Sequence, residues 1–292
     1  MLFWDLFVGG VAIGCVYSLI ALGFTMIIRA TGIIHFAQGE VMMLGSMSGI
    51  TVLVLFPQMP AIIVLILGML SSGIIAVVME LLVYRTLRVR RIPIMNIITA
   101  TVGMSILCMN AARIIWGSEP LRYPDIFGTE SFFFAGIPVS PQFVWITVFG
   151  LLIASILQAF LKYTPTGLAM QAMAQDSHTA QLMGANLTKI TVYTYAISGM
   201  MAGAAGVMLG SLFFSFFQMG FVTGLKGFIA ATLGGLGSFG GAMLGGIVFG
   251  LLETFGAVYI SSAYKDGIGM VLLIAILFFY PTGLMGLWKR KK

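Results

Sequence analysis

Between Leu6 and Tyr280 the chain is a succession of apolar runs, several of them 18 or more residues long and almost free of charge. A run of that length matches the roughly 30 Å hydrocarbon core of a bilayer when it is helical. The runs are continuous and lack the alternation of a membrane β-barrel, so they are read as helices that satisfy their own backbone hydrogen bonds in lipid. Composition agrees: 60% of the 292 residues are hydrophobic and 8% are charged. A water-soluble domain carries roughly 25% charged residues, so no solvated shell can be built from this chain. An all-α polytopic membrane protein is expected.

Basic clusters set the expected topology, because Lys and Arg in short loops mark the cytoplasmic side. Arg85, Arg88, Arg90 and Arg91 form one cluster, and Lys289, Arg290, Lys291 and Lys292 another. Propagating from them, Leu6–Ile28 runs inward, Val41–Phe56 outward, Ala61–Tyr84 inward, Ile94–Trp116 outward and Phe143–Leu161 inward. Ile190–Phe217 then runs outward, Gly241–Ile260 outward and Gly267–Tyr280 inward, which leaves the short piece Thr223–Leu233 to cross inward. About eight transmembrane helices plus one broken or half helix follow, with an external N-terminus and a cytoplasmic C-terminus. The loop Gly117–Gln142, with Glu119, Asp125 and Glu130 against Arg122, is expected outside. MLFWDLF at the start lacks a basic n-region, so no signal-peptide cleavage is expected. Cys15 and Cys108 lie inside apolar runs and read as small buried residues without disulfide or metal spacing.

The stretch Thr164–Lys189 lies on the predicted cytoplasmic side and has helix punctuation on a scale too short to span. Pro165 suits a first helical position, and the Ala, Met and Gln of Thr166–Gln175 favour helix. Asp176 or Ser177 can cap a second short helix, and Gly184 with Asn186 supply positive-φ residues to end it.

Polar residues at membrane depth are few, and each is a candidate. The second span is short, so Phe36–Glu40 is expected to extend it inward from the cytoplasmic edge and to carry Gln38 and Glu40 to membrane depth. GGLGSFGG, Gly234–Gly241, concentrates helix breakers, and Gly235, Gly237 and Ser238 are candidate wall residues of a translocation path. The glycines from Gly241 to Gly250 are read as close helix packing. Glu253 fits a helix–helix hydrogen bond and a pathway role equally well. Glu80 is read as an interfacial ion pair with the Arg85 cluster, Lys265 and Asp266 as solvated edge residues, and His178 as an exposed or contact residue.

Gly167, Ala169, Ala172, Ala174, Asp176, Ala180, Leu182, Gly184 and Asn186 together resemble the cytoplasmic coupling segment of the LivH-type permease family of branched-chain amino acid ABC transporters. The resemblance extends to HFAQGE at His35–Glu40, GLGS at Gly235–Ser238, Leu251-Leu252-Glu253 and SSAYKD at Ser261–Asp266, and covers essentially the whole chain. Leu168 and Gln171 stand where the family often has Arg, and His35 and Gln38 where it commonly has Asn and His. The resemblance implies one permease domain over residues 1–292 with the coupling segment at 164–189. It also implies a bacterial inner-membrane location and pairing with a second, LivM-like permease. Two ATP-binding subunits would carry ATP and Mg, and a periplasmic or extracellular binding protein would deliver substrate. Branched-chain amino acids, or urea and short amides, are the substrates so implied.

Other functions fit less well. No G-x-x-x-x-G-K-[ST] string occurs, so the chain does not hold nucleotide by that loop, and no cofactor is expected in it. Two histidines 143 residues apart, without H-E-x-x-H, argue against an intramembrane metalloenzyme. Nucleic-acid binding would need a solvated basic face with stacking aromatics. An ion-coupled secondary carrier is the physical rival, since broken helices and scarce carboxylates suit it too, but it leaves the capped two-helix segment without a purpose. The topology predicts that cysteines placed at Thr129 and Ser177 react with an impermeant thiol reagent from opposite faces of a sealed membrane. Labelling from one face would overturn the span count.

Overall fold

A computed structural model describes residues 2–124, 132–134, 137–262, 264–279 and 283–284. Its elements in order are α1 (Leu2–Thr31), α2 (Gln38–Leu55), α3 (Ala61–Val89), α4 (Ile94–Trp116), β1 (Leu121–Arg122), β2 (Phe132–Phe134), β3 (Ile137–Val139) and α5 (Pro141–Tyr163). There follow α6 (Pro165–Gln175), α7 (Ser177–Leu182), α8 (Leu187–Leu212), β4 (Phe214–Ser215), α9 (Met219–Gly234), α10 (Phe239–Tyr259) and α11 (Lys265–Phe279). Seven of these, α1 to α5, α8 and α10, are long and apolar enough to cross a membrane. The protein is an all-α polytopic bundle. Prolines open several helices: Pro60 and Pro93 precede α3 and α4, and Pro141 and Pro165 sit at the first positions of α5 and α6, where a missing N–H costs nothing.

The two remaining expected crossings correspond to shorter helices, so seven and not eight helices reach spanning length among the described residues. α9, with 16 residues, is the predicted short piece. α11 has 15 described residues, and Tyr280 with the Lys289–Lys292 cluster lies outside the described residues, as do Asp125 and Glu130. Within the 117–142 loop, β1 pairs antiparallel with β4, Leu121 opposite Ser215, and β2 with β3.

α1, α2 and α8 form the buried centre, and α3, α4, α5, α10 and α11 surround them with outward aliphatic side chains. Lipid tails are as apolar as leucine, so association must come from close packing and not from hiding surface. Small residues supply it. Gly199, Gly203, Gly206 and Gly210 repeat along α8 at intervals of four, three and four, and meet Met42, Gly45 and Ser46 of α2 and Gly68, Ser72 and Gly73 of α3. On the other flank, Gly10, Gly14 and Ser18 of α1 lie against Gly246, Ile247 and Gly250 of α10, where a Cβ added at Gly14 would stand 2.7 Å from the Ile247 Cα. The packing expected for Gly241–Gly250 is therefore present.

The GGLGSFGG run takes a different place from the one expected. It is the turn between α9 and α10, with Gly235 at φ +102° and Gly237 at φ +88°, and Ser238 caps α10 by accepting from the Gly241 amide at 3.1 Å. Gly237 lies beside the Arg29 side chain, whose guanidinium stands 5.1 Å from the Phe239 ring centroid. Arg29 is two residues from the end of α1, so the break closes a hairpin at the end of the bundle and does not interrupt a helix at mid-depth. A further break lies between α8 and α9, where Gly220 at the start of α9 meets Glu40 of α2.

Gly206→Val would drive side-chain atoms into the Met42 carbonyl and the Ser46 amide, whereas the Gly103 Cβ position has nothing within 4 Å. Overpacking of this kind costs about 1–3 kcal/mol. Gly206→Val is expected to lower the thermal midpoint in detergent by several degrees while Gly103→Ala leaves it unchanged. Equal midpoints would show that the α8 seam is not what holds the bundle.

Candidate functional site

The segment between α5 and α8 is built from local bonds. Thr164 Oγ1 accepts from the Gly167 amide at 3.0 Å, capping α6. Asp176 Oδ1 accepts from the amides of His178 and Thr179 at 2.9 and 3.2 Å, capping α7, and the Thr179 hydroxyl binds the other carboxylate oxygen. At the far end Gly184, at φ +90°, donates to the Gln181 carbonyl and Ala185 to the Ala180 carbonyl, both at 3.0 Å, the paired bonds that close a helix through a left-handed glycine. Asn186 corrects the expectation placed on it. Its φ is −83°, and its Oδ1 accepts from the Lys189 amide at 3.0 Å, so it starts α8 instead of ending α7.

Ala172 and Ala180 border a groove of about 540 Å³ between α6 and α7, with Asp176 and Gly184 on its rim. Leu182 is 75% and Met183 85% exposed, an apolar edge that a six-residue helix does not cover by itself. His178 is exposed, as expected. Gln171 turns inward and donates to the Leu161 carbonyl at 2.6 Å, fastening α6 under the end of α5, while Leu168 stays exposed. Gly167 is buried against Phe160 and Leu161, where an added Cβ would collide with backbone. Arg85 of the first basic cluster borders Asn186 and Lys189, so that cluster, Arg29 and the two short helices share one end of the bundle.

A second group of polar residues lies inside. Residues 32–37 fold back into the bundle after α1, where Phe36 donates its amide to Thr101 Oγ1 at 3.2 Å. α2 thus begins at Gln38 and not further inward, and Phe36 stays outside it. Gln38 Nε2 donates to the Ser198 carbonyl at 3.2 Å, between α8 and Gly23 of α1. Glu40, 1% exposed, accepts from Ser105 at 3.2 Å. Ser105 is eleven residues into α4, about 17 Å along it, so the carboxylate is at membrane depth. Its second oxygen faces Gly220, the second residue of α9, at the positive end of that helix. A side chain at 220 would fill that space.

Glu253 proves to be one member of a charge cluster. Lys226 of α9 donates to its Oε1 at 2.6 Å and also lies 2.7 Å from Asp266 of α11, with Lys265 3.8 Å from Glu253. One lysine therefore ties three helices. Asp266 is 65% exposed, so the expected edge position holds for it, but its pairing with Lys226 was missed. A lone Lys in the middle of the short apolar piece Thr223–Leu233 was the signal available. Glu80 pairs with Arg88 and not with Arg85, one full turn further on. The chain makes a π turn over Glu80–Tyr84, which keeps Glu80 and Tyr84 facing inward. His35, fully buried, stands edge-on to Tyr84 and Tyr195 at centroid distances of 5.0 and 5.3 Å, an aromatic cluster that no sequence spacing suggests.

A bundle of membrane-spanning helices, with scarce buried carboxylates and a pair of capped short helices displayed at one end, defines a multi-pass membrane permease. The family described as branched-chain amino acid transport system, permease component, matches residues 6–277, and the chain belongs to it. Among its relatives, the high-affinity branched-chain amino acid transport system permease proteins LivH of Salmonella typhimurium and BraD of Pseudomonas aeruginosa are each 35% identical. They align over 95% and 96% of this chain and 93% and 94% of their own lengths. The ribose import permease protein RbsC of Haemophilus influenzae is 27% identical over 90% of this chain and 81% of its own.

The hydrogen bonds from Thr179 and the neighbouring amides hold the Asp176 carboxyl below its ordinary range. A depressed folded value means that the cap stabilises α7 at neutral pH. That stabilisation falls away as pH drops through the usual aspartate range, near about 3.9, towards the lower folded value. Hydrogen exchange at His178 and Thr179 should accelerate over that window, beyond the intrinsic pH dependence, in the wild type and not in Asp176→Asn. The same profile in both would remove the carboxylate cap.

Proposed function

We propose that this chain is the membrane permease subunit of a binding-protein-dependent ABC importer for branched-chain amino acids. The reading is carried by the α6–α7 pair: two short helices capped at both N-termini and at the α7 C-terminus, an apolar rim left uncovered at Leu182 and Met183, and a groove between them. A soluble partner that pushes on such a rigid element can move the helices joined to it. α5 and α8 are joined directly, and α8 is the centre of the bundle.

In this reading the whole chain is one permease domain in a bacterial inner membrane, with residues 164–189 and the C-terminus in the cytoplasm and the N-terminus outside. Two ATP-binding subunits, with ATP and Mg, dock on Gly167, Ala172, Asp176, Ala180, Leu182, Gly184 and Asn186. A LivM-like permease completes the translocation path, and an external binding protein delivers the amino acid. The chain itself hydrolyses nothing. Glu40, at the start of α9, and Gln38, between α1 and α8, are assigned to the path, because unwound backbone and half-helix ends are where substrates meet membrane transporters. Gly235, Gly237 and Ser238 act at the cytoplasmic hairpin. Glu253 holds Lys226 in place.

The test is coupling. Val at Gly184 would strain the left-handed position by about 1–2 kcal/mol or let α7 run on, and Asp176→Lys reverses the favourable charge at its N-terminus. The double variant is expected to insert and assemble, yet to lose substrate-stimulated ATP hydrolysis by the partner subunits. Transport by the purified wild-type chain with no ATPase and no ATP would replace the importer with an ion-coupled carrier.

A further inference from the structure

Three carboxylates are buried among the described residues, those of Glu40, Glu80 and Glu253. Two of them have a cation: Arg88 stands against Glu80, and Lys226 against Glu253. Glu40 has none among the described residues. Ser105 donates to its Oε1 at 3.2 Å, while its Oε2 is buried with no hydrogen-bond donor among the described residues. A carboxylate at membrane depth with one oxygen unsatisfied is costly, and the cost is removed by a group that brings N–H donors and positive charge.

What faces that oxygen narrows the class of group. Gly220 lies directly in front of it, in the first turn of α9. The α9 N-terminus has no side-chain cap, and its first amides, those of Gly220 and Phe221 included, have no partner within the helix. Such a helix start favours a carboxylate or another anion. A negative oxygen and a positive helix end therefore open on one place. A cation alone would be repelled by the helix and an anion alone by Glu40, whereas a ligand with both charges close together meets each with the right sign. A divalent metal is a poor occupant. It wants several oxygen ligands, and no group of three or more acidic, His or Cys side chains gathers among the described residues.

Building on the importer reading above, we propose that Glu40 and the first turn of α9 receive the zwitterionic head of an α-amino acid, its ammonium on Glu40 Oε2 and its carboxylate on the Gly220 and Phe221 amides. Ser105 is a positioning residue, holding Oε1 from α4 so that Oε2 stays aimed at α9. Glu40 is 1% exposed, so the ligand enters when the start of α9 moves off α2. The contact is suited to parting, because Gly39 of α2 meets the backbone of Gly220 and Gly224, glycine against glycine, with no interlocked side chains to undo. The site reads the head group common to the amino acids and leaves their side chains to other contacts.

The experiment uses the assembled importer in nanodiscs, without its binding protein. Bound radiolabelled leucine is displaced by leucine, by isocaproate, which is leucine lacking the ammonium, and by isoamylamine, which is leucine lacking the carboxylate. The wild type is expected to prefer leucine to each analogue by about tenfold or more, the size of one hydrogen bond to a charged group. Glu40→Gln keeps the shape and removes the charge. It is expected to abolish the preference over isocaproate and keep that over isoamylamine, a split that a merely structural loss would not produce. Ser105→Ala is expected to lose part of the same preference. Equal displacement by all three compounds in the wild type, or no leucine binding by it, would overturn the site without any variant having to fold. So would an unchanged preference in Glu40→Gln, the result expected if Glu40 simply carries a proton. Leucine-stimulated ATP hydrolysis by the wild-type complex with its binding protein separates the two readings. If it is absent, the importer assignment fails, whereas an active importer that does not discriminate between leucine and the analogues at this level rejects this site alone.

Discussion

Backbone-to-backbone contact through glycine is the interaction on which the bundle depends. In lipid, two apolar helices gain almost nothing by hiding side chains from their surroundings, so the attraction must come from dispersion at short range. α8 achieves this by turning Gly203 and Gly206 onto the backbones of α2 and α3, and α1 by setting Gly14 against α10. The buried centre formed by these helices then holds the polar groups at fixed positions. Without the close approach of Gly39 to Gly220 and Gly224, Glu40 would not lie at the start of α9, and Gln38 reaches Ser198 only because Gly23 leaves room for it.

Buried charge follows the same logic of enforced proximity. Glu253 in an apolar helix is tolerated because Lys226 lies 2.6 Å away, and Lys226 in turn is shared with Asp266. Truncating either partner of such a pair leaves the other uncompensated, which costs far more than the pair contributes. Glu40 has a gentler solution, one hydroxyl and the positive end of α9. Both carboxylates touch α9, the helix that begins at depth.

The displayed end of the molecule is organised differently. α6 and α7 are held by side chain to backbone bonds within a few residues of each other, so the pair keeps its shape without a hydrophobic core of its own. Gln171 and buried Met170 and Met173 fasten it to the bundle. A rigid element on a close-packed support transmits displacement instead of absorbing it. Membership of the branched-chain amino acid permease family agrees with that division between a packed membrane bundle and an exposed, capped appendage.

Much of this was legible in the order of residues. Apolar length determined the class, and local chemistry determined the short helices: Pro165, the Asp176 cap and the positive-φ Gly184 all act within four residues, where spacing is sufficient information. Asn186 was misread because capping and left-handed residues share a composition, and only its φ decides between them. The glycines of GGLGSFGG announced a break but not its depth, which is decided by Arg29 on a helix at the other end of the chain. Lys226 with Glu253 and His35 between Tyr84 and Tyr195 are likewise products of the tertiary structure. The sequence by itself determined what is local, spans, caps and turns. Packing decided which polar groups meet, because partners far apart along the chain leave no periodic trace in it.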